Sequence, residues 1–287
     1  MQKISRLIDN EHGVALVLAL MILLTLTGLV LAFLSASAFE PQISRNHSET
    51  VRARYVAEAG IEIAALRLAS ADTTRMWLPD GRPYRFELED AQVEVRVRDE
   101  SGRVDLNAAA PIAGAFTGSP PTATTSAAIQ DFRDGDNLLS PGGGAEDSDY
   151  AAADLPYGAK DRAFESVTEL QQVLGIDNAL YVKLVPHVTI NTGLARPEAT
   201  FADGPVLQAL GLGGPQVAAI LAGREPLDPT APVAPLAASG TGTYSISSRA
   251  TRPDGTRAVV HATVRLGATS GLGQLYTPLA WRVGDPD

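Results

Sequence analysis

The chain of 287 residues has no cysteine, which excludes disulfides and cysteine-ligated metals. Signals for catalysis are also sparse. The four histidines, His12, His47, His187 and His261, are scattered and make no HExxH pair. There is no GxSxG elbow, no Walker loop and no GxGxxG after a strand pattern. Paired acids occur only in a Gly-rich stretch without a partner base. These gaps point away from an enzyme and nominate no catalytic residue. Clusters of Lys and Arg are missing too. A net charge of -10 and a pI near 4.9 argue against a surface for nucleic acid. The acidic balance suits calcium or ordinary solubility. The missing thiols do not identify a compartment.

One stretch is entirely uncharged. Val14 to Ala38 reads VALVLALMILLTLTGLVLAFLSASA. As an α-helix it would be about 37 Å long, enough to cross a hydrocarbon core of about 30 Å with some tilt. About 250 residues follow it, enough for one large domain or two smaller ones. A secretory signal peptide would explain Lys3, Arg6 and the Ser35-Ala36-Ser37-Ala38 run, but this apolar core is too long for one. Orientation is open on charge alone, because Arg45, Arg52 and Arg54 follow the span and offset Lys3 and Arg6.

Further along, Glu40-Pro41 predicts a kink. Val51, Tyr55, Ala59, Ile63 and Leu66 recur at helical spacing, which predicts a helix over Ser44–Ser70. Tyr84–Leu88 and Gln92–Arg98 read as strands, the second with Val93, Val95 and Val97 on one face. A turn at Asp99–Gly102 and a returning strand at Arg103–Asn107 predict a hairpin. Ala108–Ala127 is rich in Ala, Pro, Thr and Gly and reads as a loop or boundary. Phe164–Leu174 reads as a helix with a Ser166/Glu169 capping box. Asn178–Leu184 is a second short helix. Pro205–Leu210 and Pro215–Ala222 form another pair. Leu170–Ile176 is echoed by Leu207–Leu212, so two helix-turn-helix units in tandem are expected. After a second Pro/Ala/Gly stretch, Ala231–Gly242, strands are expected at Tyr244–Arg249, Ala258–Leu266 and Leu275–Val283, with a turn at Asp254-Gly255. Strands on both sides of a helical block predict an α+β domain carrying an all-helical insertion.

Two features suggest chemistry. Asp131, Asp134, Asp136, Glu146, Asp147, Asp149 and Asp154 surround Pro141-Gly-Gly-Gly144. Calcium takes six to eight hard oxygen ligands, which such a loop could supply from carboxylates and carbonyls. The spacing is not that of an EF-hand, and on spacing alone a solvated acidic loop is the favoured reading. The second pair of helices, with Gly211-Leu212-Gly213, resembles a helix-hairpin-helix. Only Arg224 near it is positive, so a protein-contact module is favoured over phosphate binding.

The leader resembles that of type IV pilins and type II secretion pseudopilins. A short polar start ends in Glu11-His12-Gly13 directly before the apolar run. That resemblance implies cleavage between Gly13 and Val14 by a prepilin peptidase, and methylation. Five residues past Gly13, where most such chains carry Glu, stands Leu18. An unpaired carboxylate in a bilayer costs about 2.5–3.5 kcal/mol. A subunit with no neighbour above it therefore does better with Leu.

With Ala53–Gly60, Arg103–Asn107, Ile129–Asp136, Gly144–Asp147, Phe164–Leu170 and Leu279–Arg282 in order, nearly the whole chain resembles the K-type minor pseudopilins of type II secretion systems. Phe132 stands where family members commonly have Trp. Asn191–Pro197 departs from their Asn-Thr-Ala-Pro pattern. The resemblance implies a pseudopilin fold, with 1–13 as leader and 14–39 as transmembrane helix. Residues 40–110 and 236–287 would form a periplasmic α+β domain, and 111–235 the helical insertion. It implies single-pass anchoring in a bacterial inner membrane and a place at the pseudopilus tip. There the chain would help initiate assembly and export of folded proteins. Implied partners are the I-type and J-type minor pseudopilins, the peptidase and the inner-membrane secretion platform. Calcium is implied in the helical domain. Two other readings stay open: a type IV pilus minor pilin, and a membrane-anchored DNA receptor.

Overall fold

A computed structural model describes residues 5–70, 72, 75–108, 123–224, 241–267 and 275–284, and of the helical residues 5–12, 34–46 and 123 only the backbone. The boundaries at 110/111 and 235/236, and most of both linker stretches, lie outside the described residues. The chain divides into two units, 1–53 and 54–287.

The first helix, α1 (Ser5–Leu68), contains the apolar run. It passes unbroken through both Gly13 and Pro41, so the leader is helical from Ser5 onward and the proline does not end the helix. A proline removes one i→i−4 bond, and the bonds of neighbouring turns carry the helix past it. Within the first unit, every side chain from Gly13 to Phe33 is exposed, and this stretch is long and apolar enough to cross a membrane. Its two polar side chains are satisfied within the helix. Thr25 donates to the Met21 and Ile22 carbonyls, both at 2.9 Å, and Thr27 to the Leu23 carbonyl at 2.7 Å. Internal satisfaction is what a hydrocarbon medium demands.

The second unit is built on a five-stranded antiparallel sheet. Its strands are β1 (Asp80–Leu88), β2 (Ala91–Asp99), β5 (Thr243–Thr251), β6 (Arg257–Leu266) and β7 (Tyr276–Val283), in that spatial order. Alternation puts Val93, Val95 and Val97 on one face, opposite Ala250, Ser248 and Ile246 of β5. Val260, Ala262 and Val264 of β6 continue that face. Val56, Ala57, Ile61 and Ala64 of α1 pack against it. The small residues between Ala53 and Gly60 have a physical role here. A Cβ at Gly60 would collide with the Ser248 hydroxyl, so the helix approaches the sheet as closely as glycine permits.

The expected hairpin onto Arg103–Asn107 does not form. Asp99 instead caps a 3₁₀ turn at Glu100–Gly102, accepting from the Ser101 N–H at 2.8 Å. Only β3 (Val104–Asp105) is extended, and it pairs in parallel with β4 (Val188–Thr189) in a separate two-stranded ribbon. The free side of β2 is taken by β5, whose longer apolar face offers more burial. The hairpin actually made is β1–β2, which turns at Glu89-Asp90 with Glu89 at φ 55°.

Between β3 and β5 in the chain, with β4 passing through it, lies a helical segment with its own core. It comprises α2 (Ala123–Asp131), α3 (Asp147–Ala152), α4 (Asn178–Leu184), α5 (Gly204–Ala209) and α6 (Gly214–Ala222). Phe132, Tyr150, Phe164, Leu170, Leu184 and Leu207 are among its largest buried residues. Ala123–Ala127, expected as loop, is helical. Phe164–Leu174, expected as helix, contains only a 3₁₀ turn at Val167–Gln172. Ser166 caps that turn, while Glu169 binds Lys160 at 2.7 Å instead of closing a capping box. The sequence echo has a structural counterpart. Leu170 and Leu207 are both fully buried, and Gly175 and Gly211 take φ of 86° and 87° before the next helix. Buried polar contacts join this segment to the sheet. Glu100 accepts from Thr189 and Ser245 and pairs with Arg103 at 2.8 Å.

Candidate metal centre

The acidic stretch is only partly a loop. Asp131 ends α2, and Asp147 and Asp149 open α3. Asp131, Asp134 and Glu146 converge, each offering a carboxylate oxygen within 4.8 Å of the other two. Asp131 is fully buried and accepts from the Ser140 N–H at 3.1 Å. Gly144 lies against it, and a Cβ there would collide with the Asp131 carboxylate. Gly144 thus makes room for the Asp131 carboxylate.

The other four acids are used differently. Asp136 accepts from the Leu138 N–H at 2.9 Å, and Asp147 from the Ala159 N–H at 3.1 Å. Asp149 caps α3 through the Glu146 N–H at 3.0 Å. Asp154 is exposed and sits just past α3 at φ 57°. These contacts fold the loop around the triad and leave the centre to three carboxylates.

Glu146 shows that the centre is electrostatically incomplete. It is 3% exposed, yet neither of its carboxylate oxygens has a hydrogen-bond partner. Burial, and then the fields of Asp131, Asp134, Asp161 and Asp136, push its pKa up to about 7. Burial and the same neighbouring acids raise Asp134 as well, and its Oδ1 is likewise buried without a partner. Orphaned buried carboxylates carry a desolvation cost that a cation would offset. The donor set is all oxygen and suits a hard divalent ion. Asp161 contributes to this field and was not among the acids singled out from sequence. It lies seven residues beyond that cluster, between Lys160 and Arg162, where a mixed charge run gives no hint of convergence.

The α5–α6 pair offers nothing comparable to a phosphate. Residues 204–223 contain no charged side chain. Arg224 is turned inward, donating to the carbonyls of Ala199 at 2.8 Å and Ala202 at 2.6 Å. Asp203 caps α5 through the Val206 N–H at 3.1 Å and holds His187 at 2.7 Å. These contacts make the pair a packing module.

The fold defines a class, an α+β domain with an antiparallel sheet, led by one long apolar helix. Residues 118–192, which include the whole acidic centre, match the family model described as Type II secretion system (T2SS), protein K. A Type II secretion system protein K from Pectobacterium carotovorum subsp. carotovorum is 44% identical over 62 residues, 22% of this chain and 19% of that protein. One from Klebsiella pneumoniae is 29% identical over 209 residues, 62% of each chain. These alignments span less than two thirds of either relative's length. Among solved structures, the GspK-GspI-GspJ complex from the enterotoxigenic Escherichia coli type 2 secretion system contains a similar chain. That chain is covered in full and covers 86% of this one, with a TM-score of 0.59 at 20% identity. The likeness to K-type minor pseudopilins is thereby borne out.

Proposed function

We propose that this chain is the K-type minor pseudopilin of a type II secretion system. In this reading it is anchored by one pass in a bacterial inner membrane, with its bulk in the periplasm. A prepilin peptidase cuts the leader between Gly13 and Val14. The chain then joins I-type and J-type partners at the pseudopilus tip, helps initiate assembly on the inner-membrane platform, and so serves export of folded proteins. The observation that carries this reading is the match of residues 118–192 on a fold led by one exposed apolar helix. Leu18, exposed in that helix, fits a subunit with no neighbour above to pair a carboxylate.

Co-expression of the full chain with I-type and J-type subunits, followed by light scattering in detergent, tests the assembly. A 1:1:1 complex is expected, and a persistent monomer would overturn it. A Gly13→Val chain should remain uncut and block secretion, whereas normal maturation would remove the processing step.

Within the same reading, Asp131, Asp134 and Glu146 hold a divalent cation, calcium by the chemistry of the donors. When bound, the ion neutralises the carboxylates that burial leaves unpaired. Calorimetric titration of the full chain with calcium should give one site at this centre that disappears in Glu146→Gln.

A further inference from the structure

The sheet has two edge strands, β1 and β7. β7 is the more open, with every residue from Pro278 to Val283 exposed. The phase of its ladder shows which backbone groups are unused. In an antiparallel pair, residues alternate between bonding the neighbouring strand and pointing away from it. The Gly284 N–H donates to the Val259 carbonyl at 2.9 Å. Counted back through the register, Arg282 opposite His261 and Ala280 opposite Thr263 also bond β6. Trp281 and Val283 therefore aim their N–H and C=O groups outward, where no described residue bonds them. β6 agrees with this phase. Its Leu266 N–H turns the other way, to the Gly242 carbonyl at 2.8 Å beside β5, which leaves Val259, His261 and Thr263 for β7.

The first half of this edge is closed. Pro278 has no N–H to offer. Leu279 is an extra residue, since Val264 opposes Pro278 while Thr263 opposes Ala280. A proline and a bulge are common means of blunting an edge strand, and here they stop before Trp281. The bulge also resets the alternation of side chains. It sets Trp281 and Val283 opposite the core residues Ala262 and Val260, on the helix side, and Arg282 opposite His261, on the outer side. Trp281 is 40% exposed and Val283 45%. Arg282 is exposed too and pairs with no acid among the described residues. The second half of the edge thus offers unused backbone groups, two apolar side chains on one face and a cation on the other.

We infer that the open half of β7 takes an added strand from a different polypeptide, an extended segment that reads apolar, acidic, apolar. Outward backbone groups on alternate residues select an extended chain, because a helix has already used its own N–H and C=O groups. The acidic residue of the segment lies opposite Arg282, and its apolar residues lie opposite Trp281 and Val283. Charge disfavours a second copy of this chain. Aligning the open residues of two β7 strands sets Arg282 against Arg282, and like charges directly opposite are destabilising. In the assembly proposed above the added strand belongs to the I-type or J-type subunit. The inference rests on that reading and identifies one contact within it.

The test uses the full chain co-expressed with the I-type and J-type subunits and purified in detergent. Amide hydrogen exchange at Trp281 and Val283 should slow at least ten-fold in the complex, while the Arg282 amide, already bonded to β6, stays unchanged. Val283→Pro removes an outward N–H without touching a bond to β6, and should weaken the complex at least ten-fold. Val283→Thr keeps the shape and the N–H, and should leave the complex intact. Arg282→Glu should weaken it as well. A photo-crosslinking residue at position 280 should reach an extended segment of one partner. Unchanged exchange at Trp281 and Val283, or an undiminished complex with Val283→Pro, overturns the added strand and leaves the assembly standing. Crosslinks from position 280 that reach only a helix or a second copy of this chain do the same. No complex with the unmodified chain overturns both.

Discussion

The two cores of the second unit are built on different principles. The core between α1 and the sheet is made of Val, Ala, Ile and Gly, with Gly60 as its closest point. It has few side-chain charges to satisfy and is held by apolar burial and close approach. The helical segment buries Phe132, Tyr150 and several leucines, but also the carboxylates of Asp131 and Glu146. The difference teaches that one core is complete as a polypeptide. The other holds a negative charge excess that its own residues do not neutralise. A cation held there would therefore change its stability.

That contrast can be broken most severely at Phe132, which is 1% exposed and lies 5.2 Å from the Phe164 ring. Phe132→Ala should cost about 3–5 kcal/mol in chemical denaturation of the full chain in detergent. Calcium should recover only part of that loss. In the other core, Gly60→Val should cost about 1–3 kcal/mol by overpacking against Ser248. The calcium response should be unchanged in this variant, because the ion acts on the separate core.

The comparison sharpens at Glu146. Its folded pKa of about 7 lies above its ordinary value of 4.5, so the folded chain binds the proton more tightly than the unfolded chain. The corresponding stability is fully present below about 4.5 and is lost as pH rises through about 7. Without divalent ions, melting temperature measured across that window should fall with rising pH. Glu146→Gln should flatten this dependence, stabilise the metal-free chain at pH 8 and remove the rise in melting temperature on adding calcium. A smaller effect is expected at Asp203, which caps α5 and holds His187. Asp203→Ala should cost about 1 kcal/mol, the usual value of a lost cap. Burial opposes ionisation there, yet the His187 and Val206 contacts keep the carboxyl below its ordinary range. The cap should therefore weaken only in strongly acidic solution.

Local pattern carried much of the architecture. The uncharged run, the helical spacing of Val51 to Leu66 and the alternation of Val93, Val95 and Val97 each state an element through burial periodicity. Each element is present in the structure. The hairpin onto Arg103–Asn107 went wrong because turn residues say where a chain reverses, not which strand it then pairs with. β2 found β5, more than 140 residues away, through a matching apolar face. The candidate site was legible as a set of acids and not as a geometry. Seven carboxylates were visible in a row, and three converge. Asp136, Asp147 and Asp149 accept backbone N–H groups instead, and Asp161 joins the field from outside the cluster.

The sequence by itself determined that this chain has one apolar helix able to span a membrane, an α+β body and an oxygen-rich acidic stretch without thiols. Composition and periodicity are local properties, so they survive without a fold. Only the tertiary structure decided which carboxylates are buried together. It also decided that Gly60 meets Ser248, and that one extra residue at Leu279 turns Trp281 toward the helix side. Those outcomes depend on register and on contacts between distant residues, which are settled when the packed faces meet.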